Sequence, residues 1–95
     1  MSTTAFEMFF PGGTVAQYDE VISNMGFVPG GTGAPGALSH WCAEVDGGLK
    51  VVDVWTSPEL YEAFAAGQIG PLTSAAGMSQ PQITSYEVHN TLAAG

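Results

Sequence analysis

The chain has almost no positive charge. Lys50 is its one base and arginine is absent, against nine carboxylates, for a formal net charge of −8 in 95 residues. A surface that holds nucleic acid needs several Lys or Arg, each displacing a counterion from a phosphate. DNA, RNA and anionic membranes are therefore not expected as partners. Phosphate-rich cofactors are disfavoured too, unless backbone amides or a helix N-terminus hold them. Cysteine is nearly as scarce: Cys42 alone permits no internal disulfide and suits a reducing compartment. The Asp-rich, Gly-centred loop that binds calcium does not occur. Long apolar runs are missing as well. The longest uncharged stretch, Ala63 to Tyr86, is interrupted by Gly67, Gly70, Pro71, Gly77 and Pro81, which argues against a spanning helix. The N-terminus lacks the basic-then-apolar order of a secretory signal, so the expected location is cytoplasmic.

What is present fits one folded domain over residues 1–95. Hydrophobic residues make up 45% of the chain, enough for a core and too many for a solvated tail. Period-two and period-3.6 patterns alternate along it. Thr4 to Phe10 reads as a strand, with Phe6, Met8 and Phe10 on one side. Pro11-Gly12-Gly13 ends it, and Thr14 with Gln17 forms a capping box. Val15, Tyr18, Val21, Ile22 and Met25 then recur at helical spacing up to Gly26, a C-terminal stop. After the Gly/Pro-rich connection Phe27–Gly36, strands over Ala37–Val45 and Leu49–Trp55 are joined by Asp46-Gly47-Gly48, a hairpin signal. Ser57-Pro58-Glu59 opens a second helix that runs to Gly67. Pro71 to Ala76 leaves room for a further short turn of helix. Gln82 to His89 reads as a fourth strand, and Thr91 to Gly95 as a frayed tail.

The order strand, helix, strand, strand, helix, strand is the split βαβ, or ferredoxin-like, pattern of the α+β class. It predicts a four-stranded antiparallel sheet with both helices on one face. The other face is left bare, and a two-fold homodimer is the commonest way to cover it. Gly31-Thr32-Gly33-Ala34-Pro35-Gly36 matches the dinucleotide fingerprint by letter only. That fingerprint must follow a strand and open a helix, whereas this run follows a helix and enters a strand. It reads as a mobile loop with room to cover a pocket.

The register of the hairpin decides the chemistry. With a two-residue turn at Asp46-Gly47, His40 faces Asp53 and Cys42 faces Val51, and both pairs share a sheet face with Trp55. A three-residue turn with a bulge puts Trp41 opposite Asp53 and the pair vanishes. In the first register an imidazole meets a carboxylate beside a large aromatic. A carboxylate raises the basicity of a histidine and fixes which ring nitrogen carries the proton, which makes a general acid or base. The plain alternative is a cross-strand ion pair that locks the hairpin. Asp53 lies mid-strand in VVDVW, where an acid costs stability unless it is paired. His40, Cys42 and Glu44 alternate along one face, but they span about 13 Å at roughly 3.3 Å per residue, too far apart to hold one metal ion. Cys42 reads as a small core residue and His89 as a surface or interface residue. Tyr18, Tyr61 and Phe64 lie on helix faces turned to the sheet, where they wall any cavity.

At VVDVWTSPELYEAF, followed by GPLTSAAG and a strand ending in VHN, the chain resembles the dimeric α+β barrel superfamily. The likeness is to its antibiotic-biosynthesis-monooxygenase-like branch and runs from FFPGGTVAQYDEV to HN. The resemblance implies two protomers joined through their sheets, with a mostly apolar pocket between sheet and helices in each. It implies activities such as cofactor-free oxidation of polyketide phenols to quinones, haem degradation, lactone isomerisation or cyclisation. The haem-degrading members use an Asn on the first strand and a His on the second helix. Here the first strand carries Glu7 and the second helix has no His, so only Trp55 matches that set. The quinone-forming members use an arginine, which this chain lacks.

The expectation is therefore a cofactor-independent, monooxygenase-like homodimer acting on a small apolar or aromatic substrate. His40 and Asp53 are the candidate catalytic pair. Trp55, Tyr18, Tyr61, Phe64, Cys42 and His89 are candidates for substrate contact, with no metal and no organic cofactor. The same pair can run an isomerisation or cyclisation, and a non-catalytic ligand-binding dimer is the remaining reading.

Overall fold

The computed structural model describes residues 2–95. Its strands are β1 (Thr4–Pro11), β2 (Ala37–Val45), β3 (Gly48–Trp55) and β4 (Gln82–Glu87). They form one antiparallel sheet in the order β2-β3-β1-β4. Helix α1 spans Val15–Met25, α2 spans Pro58–Phe64 and α3 spans Gly70–Ala75. The ferredoxin-like α+β pattern expected from the element order is the one observed. Among the described residues no helix is long and apolar enough to cross a membrane.

The local signals act where they stand in the chain. The Thr14 hydroxyl accepts from the Gln17 amide, and the Gln17 side chain accepts from the Thr14 amide. Gly26 closes α1 at φ 87°, a left-handed conformation that costs glycine nothing. Ser57 caps α2 through its hydroxyl at 3.3 Å from the Leu60 nitrogen. The β2–β3 connection is tight, with Gly47 at φ 82°.

Two boundaries differ by more than one residue from those read in the sequence, while β1, β3 and α3 shift by single residues at their ends. The second helix does not stop at Gly67. It passes into a π-helical turn over Ala65–Ile69, in which the Gly70 amide bonds back to the Ala65 carbonyl, and continues as α3. Pro71 has no N–H to donate, and its place in the first turn of α3 makes that harmless. The fourth strand ends at Glu87 rather than His89, although the Val88 amide still bonds the Thr3 carbonyl.

Alternation along β1 and β3 puts Phe6, Met8, Phe10, Leu49, Val51, Asp53 and Trp55 on the helix-covered face, all buried. Tyr61 of α2 stacks on Phe6 with ring centroids 3.7 Å apart and meets Trp55 edge-on. The opposite face carries Ala5, Glu7 and Phe9 with Lys50, Val52 and Val54, all half-buried. Trp41 and Tyr86 stand exposed on it. Lys50 is tied there to Glu7 at 3.1 Å.

Two glycines make opposite demands. A Cβ at Gly48 would run into the carbonyl oxygen of Phe10, which is backbone and cannot swing away, whereas one at Gly67 meets nothing within 4 Å. Gly48→Ala is expected to destabilise the protein by about 2–3 kcal/mol as overpacking. Gly67→Ala is expected to stabilise it by about 0.5–1 kcal/mol through helix propensity. Urea unfolding of the two variants checks both signs.

Candidate functional site

The cross-strand register pairs His40 with Asp53, Cys42 with Val51 and Trp41 with Val52. This is the register of the two-residue turn. An irregularity at Leu38, between the Ala37 and Ser39 pairings, lies above the dyad and leaves it in phase. Asp53 is 4% exposed, so its charge must be met by neighbours. One carboxylate oxygen lies 2.5 Å from His40 Nδ1, and the other accepts from the Trp55 indole N–H at 3.2 Å. A carboxylate only accepts, so Nδ1 carries the proton, and in the neutral imidazole Nε2 then presents its lone pair. That lone pair is taken: Tyr18 Oη lies 2.5 Å from Nε2, and its hydroxyl donates there. The Tyr18 and His40 rings are near parallel at 13°. The result is a continuous chain from Trp55 through Asp53 and His40 to Tyr18.

Burial pushes the Tyr18 phenol up to about 12, with the negative charge available to Cys42, Asp53 and Asp19 adding to it. Tyr18 therefore keeps its proton in the resting site. Burial likewise raises Cys42, with Asp19 contributing, so Cys42 is a thiol and not an activated nucleophile. Tyr61 is raised to about 12, first by burial and then by Asp53.

Between sheet and helices lies a cavity of about 80 Å³. Tyr18, His40, Asp53 and Thr73 are polar members of a lining that is otherwise mostly apolar, with Phe10, Trp55, Phe64 and Met78 prominent. Gly33 and Ala34 of the Phe27–Gly36 loop close one side, and Ala34 is buried. Tyr18 and His40 also line a wider groove of about 1050 Å³ between α1, that loop and β2. The His40 side chain is 36% exposed. The dyad therefore stands at the border between interior and solvent rather than wholly within a sheltered hollow.

Of the candidate residues, His40, Asp53, Trp55, Tyr18 and Phe64 come together around the cavity. Three do not. Tyr61 sits behind the cavity wall, stacked on Phe6, and its buried hydroxyl has no hydrogen-bond partner among the described residues. Cys42 faces the outer groove. His89 is exposed beyond the end of β4 and lines neither space. Thr73 and Met78 are wall residues that no sequence pattern singled out. Thr73 lies on α3, just past the π turn, and its hydroxyl donates to the Ile69 carbonyl at 2.6 Å. Among the described residues no three His, Cys, Asp or Glu side chains are grouped to hold a metal ion.

No protein-family model matches the chain. No curated protein matches it by sequence. Solved structures do share its architecture. A protein assigned as an antibiotic biosynthesis monooxygenase from Chloroflexus aurantiacus is 19% identical, with a TM-score of 0.66 over 99% of this chain and 100% of the other. A protein of unknown function from Nitrosomonas europaea is 20% identical, with a TM-score of 0.69 over 100% and 98%. SnoaB, a cofactor-independent oxygenase from Streptomyces nogalater, is 21% identical, with a TM-score of 0.61 over 97% and 98%. At these identities what is shared is the fold, and it is the fold of the antibiotic-biosynthesis-monooxygenase-like proteins.

Proposed function

We propose that this protein is a small-molecule enzyme of the cofactor-independent, monooxygenase-like type. In this reading His40 and Asp53 are its acid–base pair, and Trp55 and Phe64 flank the substrate. The observation that carries it is the hydrogen-bonded Asp53–His40 pair in the wall of a mostly apolar cavity. Such a pair transfers protons to and from a bound guest, and low local polarity strengthens its pull on charge that develops during reaction. A phenol that gives up its proton becomes electron-rich enough to reduce dioxygen without a cofactor, and SnoaB, which shares the fold, is named as a cofactor-independent oxygenase. Without dioxygen, the same proton transfer is an isomerisation or a cyclisation.

The substrate class follows from charge and size. Asp53 repels an anion, and Lys50, the one base, is held by Glu7 on the opposite face of the sheet. A cavity of about 80 Å³ is roughly half the volume of an engineered apolar cavity that takes benzene. An uncharged, apolar guest fits these limits, and a ring larger than that must displace the Gly33–Ala34 wall or reach into the outer groove.

Asp53→Asn is expected to reduce turnover by about 100-fold or more, measured as oxygen uptake with small phenols, while circular dichroism stays unchanged. A variant that only melts at lower temperature, with phenol affinity and turnover intact, returns the pair to a hairpin lock in a non-catalytic binding protein.

The active form in this proposal is a homodimer with no nucleic-acid or membrane partner. The helix-free face, with Trp41 and Tyr86 exposed and Phe9, Val52 and Val54 half-buried, supports a second copy as its cover. Sedimentation equilibrium should give twice the monomer mass, and Val52→Glu should shift it toward the monomer. A monomer at the highest concentration tested would refute the assembly.

A further inference from the structure

Both ring nitrogens of His40 are already committed. Nδ1 donates to Asp53 and Nε2 accepts from Tyr18, each at 2.5 Å. A guest in the cavity therefore finds no free lone pair on the imidazole. The atom at the end of the chain is Tyr18 Oη. A hydroxyl has one proton to give and two lone pairs to accept with, and only its proton is used in the bond to His40. Tyr18 also lines both the inner cavity and the outer groove.

We propose that Tyr18 is the catalytic residue that exchanges the proton with the guest, with His40 and Asp53 acting through it, and that the guest is a small uncharged molecule bearing an acidic C–H or O–H. The proposal rests on the acid–base reading of the site and deepens it. In the step, the guest's C–H or O–H bond breaks and its proton bonds to Tyr18 Oη. The Tyr18 O–H bond breaks in the same motion, and that proton passes to His40 Nε2. The electron pair stays on the guest as an enolate or phenolate. His40 becomes an imidazolium between that anion and Asp53, which balances the new charge without an external cation. Return of the two protons regenerates the site, at the same carbon for exchange or at another for isomerisation. No oxidant is consumed.

The surroundings fit a coupled transfer rather than a standing tyrosinate. Burial holds the phenol proton on Tyr18, as do Cys42 from β2, Asp53 from β3 and Asp19 from its own helix. The phenol oxygen accepts a proton only as it hands its own to His40. Asp53 keeps that acceptor oriented, and Trp55 keeps Asp53 oriented.

The test needs no knowledge of the natural substrate. Acetone and cyclopentanone are small, uncharged and weakly acidic at carbon, and replacement of their α-protons in D₂O is read by proton NMR. The wild-type protein is expected to accelerate that exchange. Tyr18→Phe should lower the acceleration by about 100-fold with ketone binding retained. His40→Gln should lower it similarly, and the double variant should lose no more than either single one, as expected of groups acting as a unit. As a second measurement, 3-fluorotyrosine is incorporated into Tyr61→Phe/Tyr86→Phe protein, where Tyr18 is the one remaining phenol. The more acidic phenol should move the pH–rate profile to lower pH, which a merely structural side chain would not do. Exchange that survives Tyr18→Phe but not His40→Gln, or a profile indifferent to fluorination, overturns the relay and leaves the acid–base reading standing. A wild-type protein that binds the ketones and exchanges nothing overturns both.

Discussion

Asp53 is the constraint around which the site is arranged. A carboxylate 4% exposed in the middle of a sheet costs several kcal/mol unless its neighbours replace the water it lost. Both oxygens are satisfied, one by the Trp55 indole and one by the His40 imidazole. These two donors come from different directions: Trp55 is two residues on along the same strand, and His40 is directly across on the edge strand. Satisfying the acid therefore fixes the indole rotamer, the imidazole tautomer and the strand register together. Removing either donor leaves a buried acceptor unmet, and a shift in register removes His40 outright.

Scarcity of base gives the acid its chemical meaning. In a chain with several lysines, a buried Asp is most simply read as half of an ion pair. Here the one lysine is spent on Glu7 across the opposite face, so the internal acid is answered by groups that donate hydrogen bonds without a permanent positive charge. A site so composed tolerates an anion only while a proton resides on the imidazole. Proton movement and the binding of developing charge are thus one event, and the apolar remainder of the cavity selects guests that arrive neutral.

Much of this was legible before any coordinates. Strand parity along Phe6–Met8–Phe10 and Leu49–Val51–Asp53–Trp55 named the covered face, and the Asp46-Gly47 turn left two registers, of which the observed one puts His40 opposite Asp53. These are local rules, and the fold obeys them. The resemblance carried by VVDVWTSPELYEAF pointed to the architecture that the solved structures share. The bond from Tyr18 to His40 was not legible. Helical spacing puts Tyr18 on the inner stripe of α1, but which sheet residue it meets depends on how far the helix is rotated and where it crosses the strands, and neither is written in the spacing of one element. The π turn was equally hidden. Gly67 reads as a stop because glycine weakens an α-helix, whereas a wider turn over Ala65–Ile69 lets the helix resume through Gly70-Pro71. Thr73 and Met78 enter the cavity wall only through that continuation.

The position of β2 explains why the site is neither sealed nor open. Asp53 lies on β3, flanked by β2 and β1, and is buried by that fact alone. His40 lies on β2, an edge strand with no neighbour beyond it, and so keeps a third of its side chain in the outer groove. A protonatable ring pinned on its inner side by a buried acid and bordered on its outer side by solvent has two environments within its own width. Tyr18 reaches down from α1 to the nitrogen facing away from Asp53. It closes the chain of hydrogen bonds where the sheet, having run out of strands, cannot.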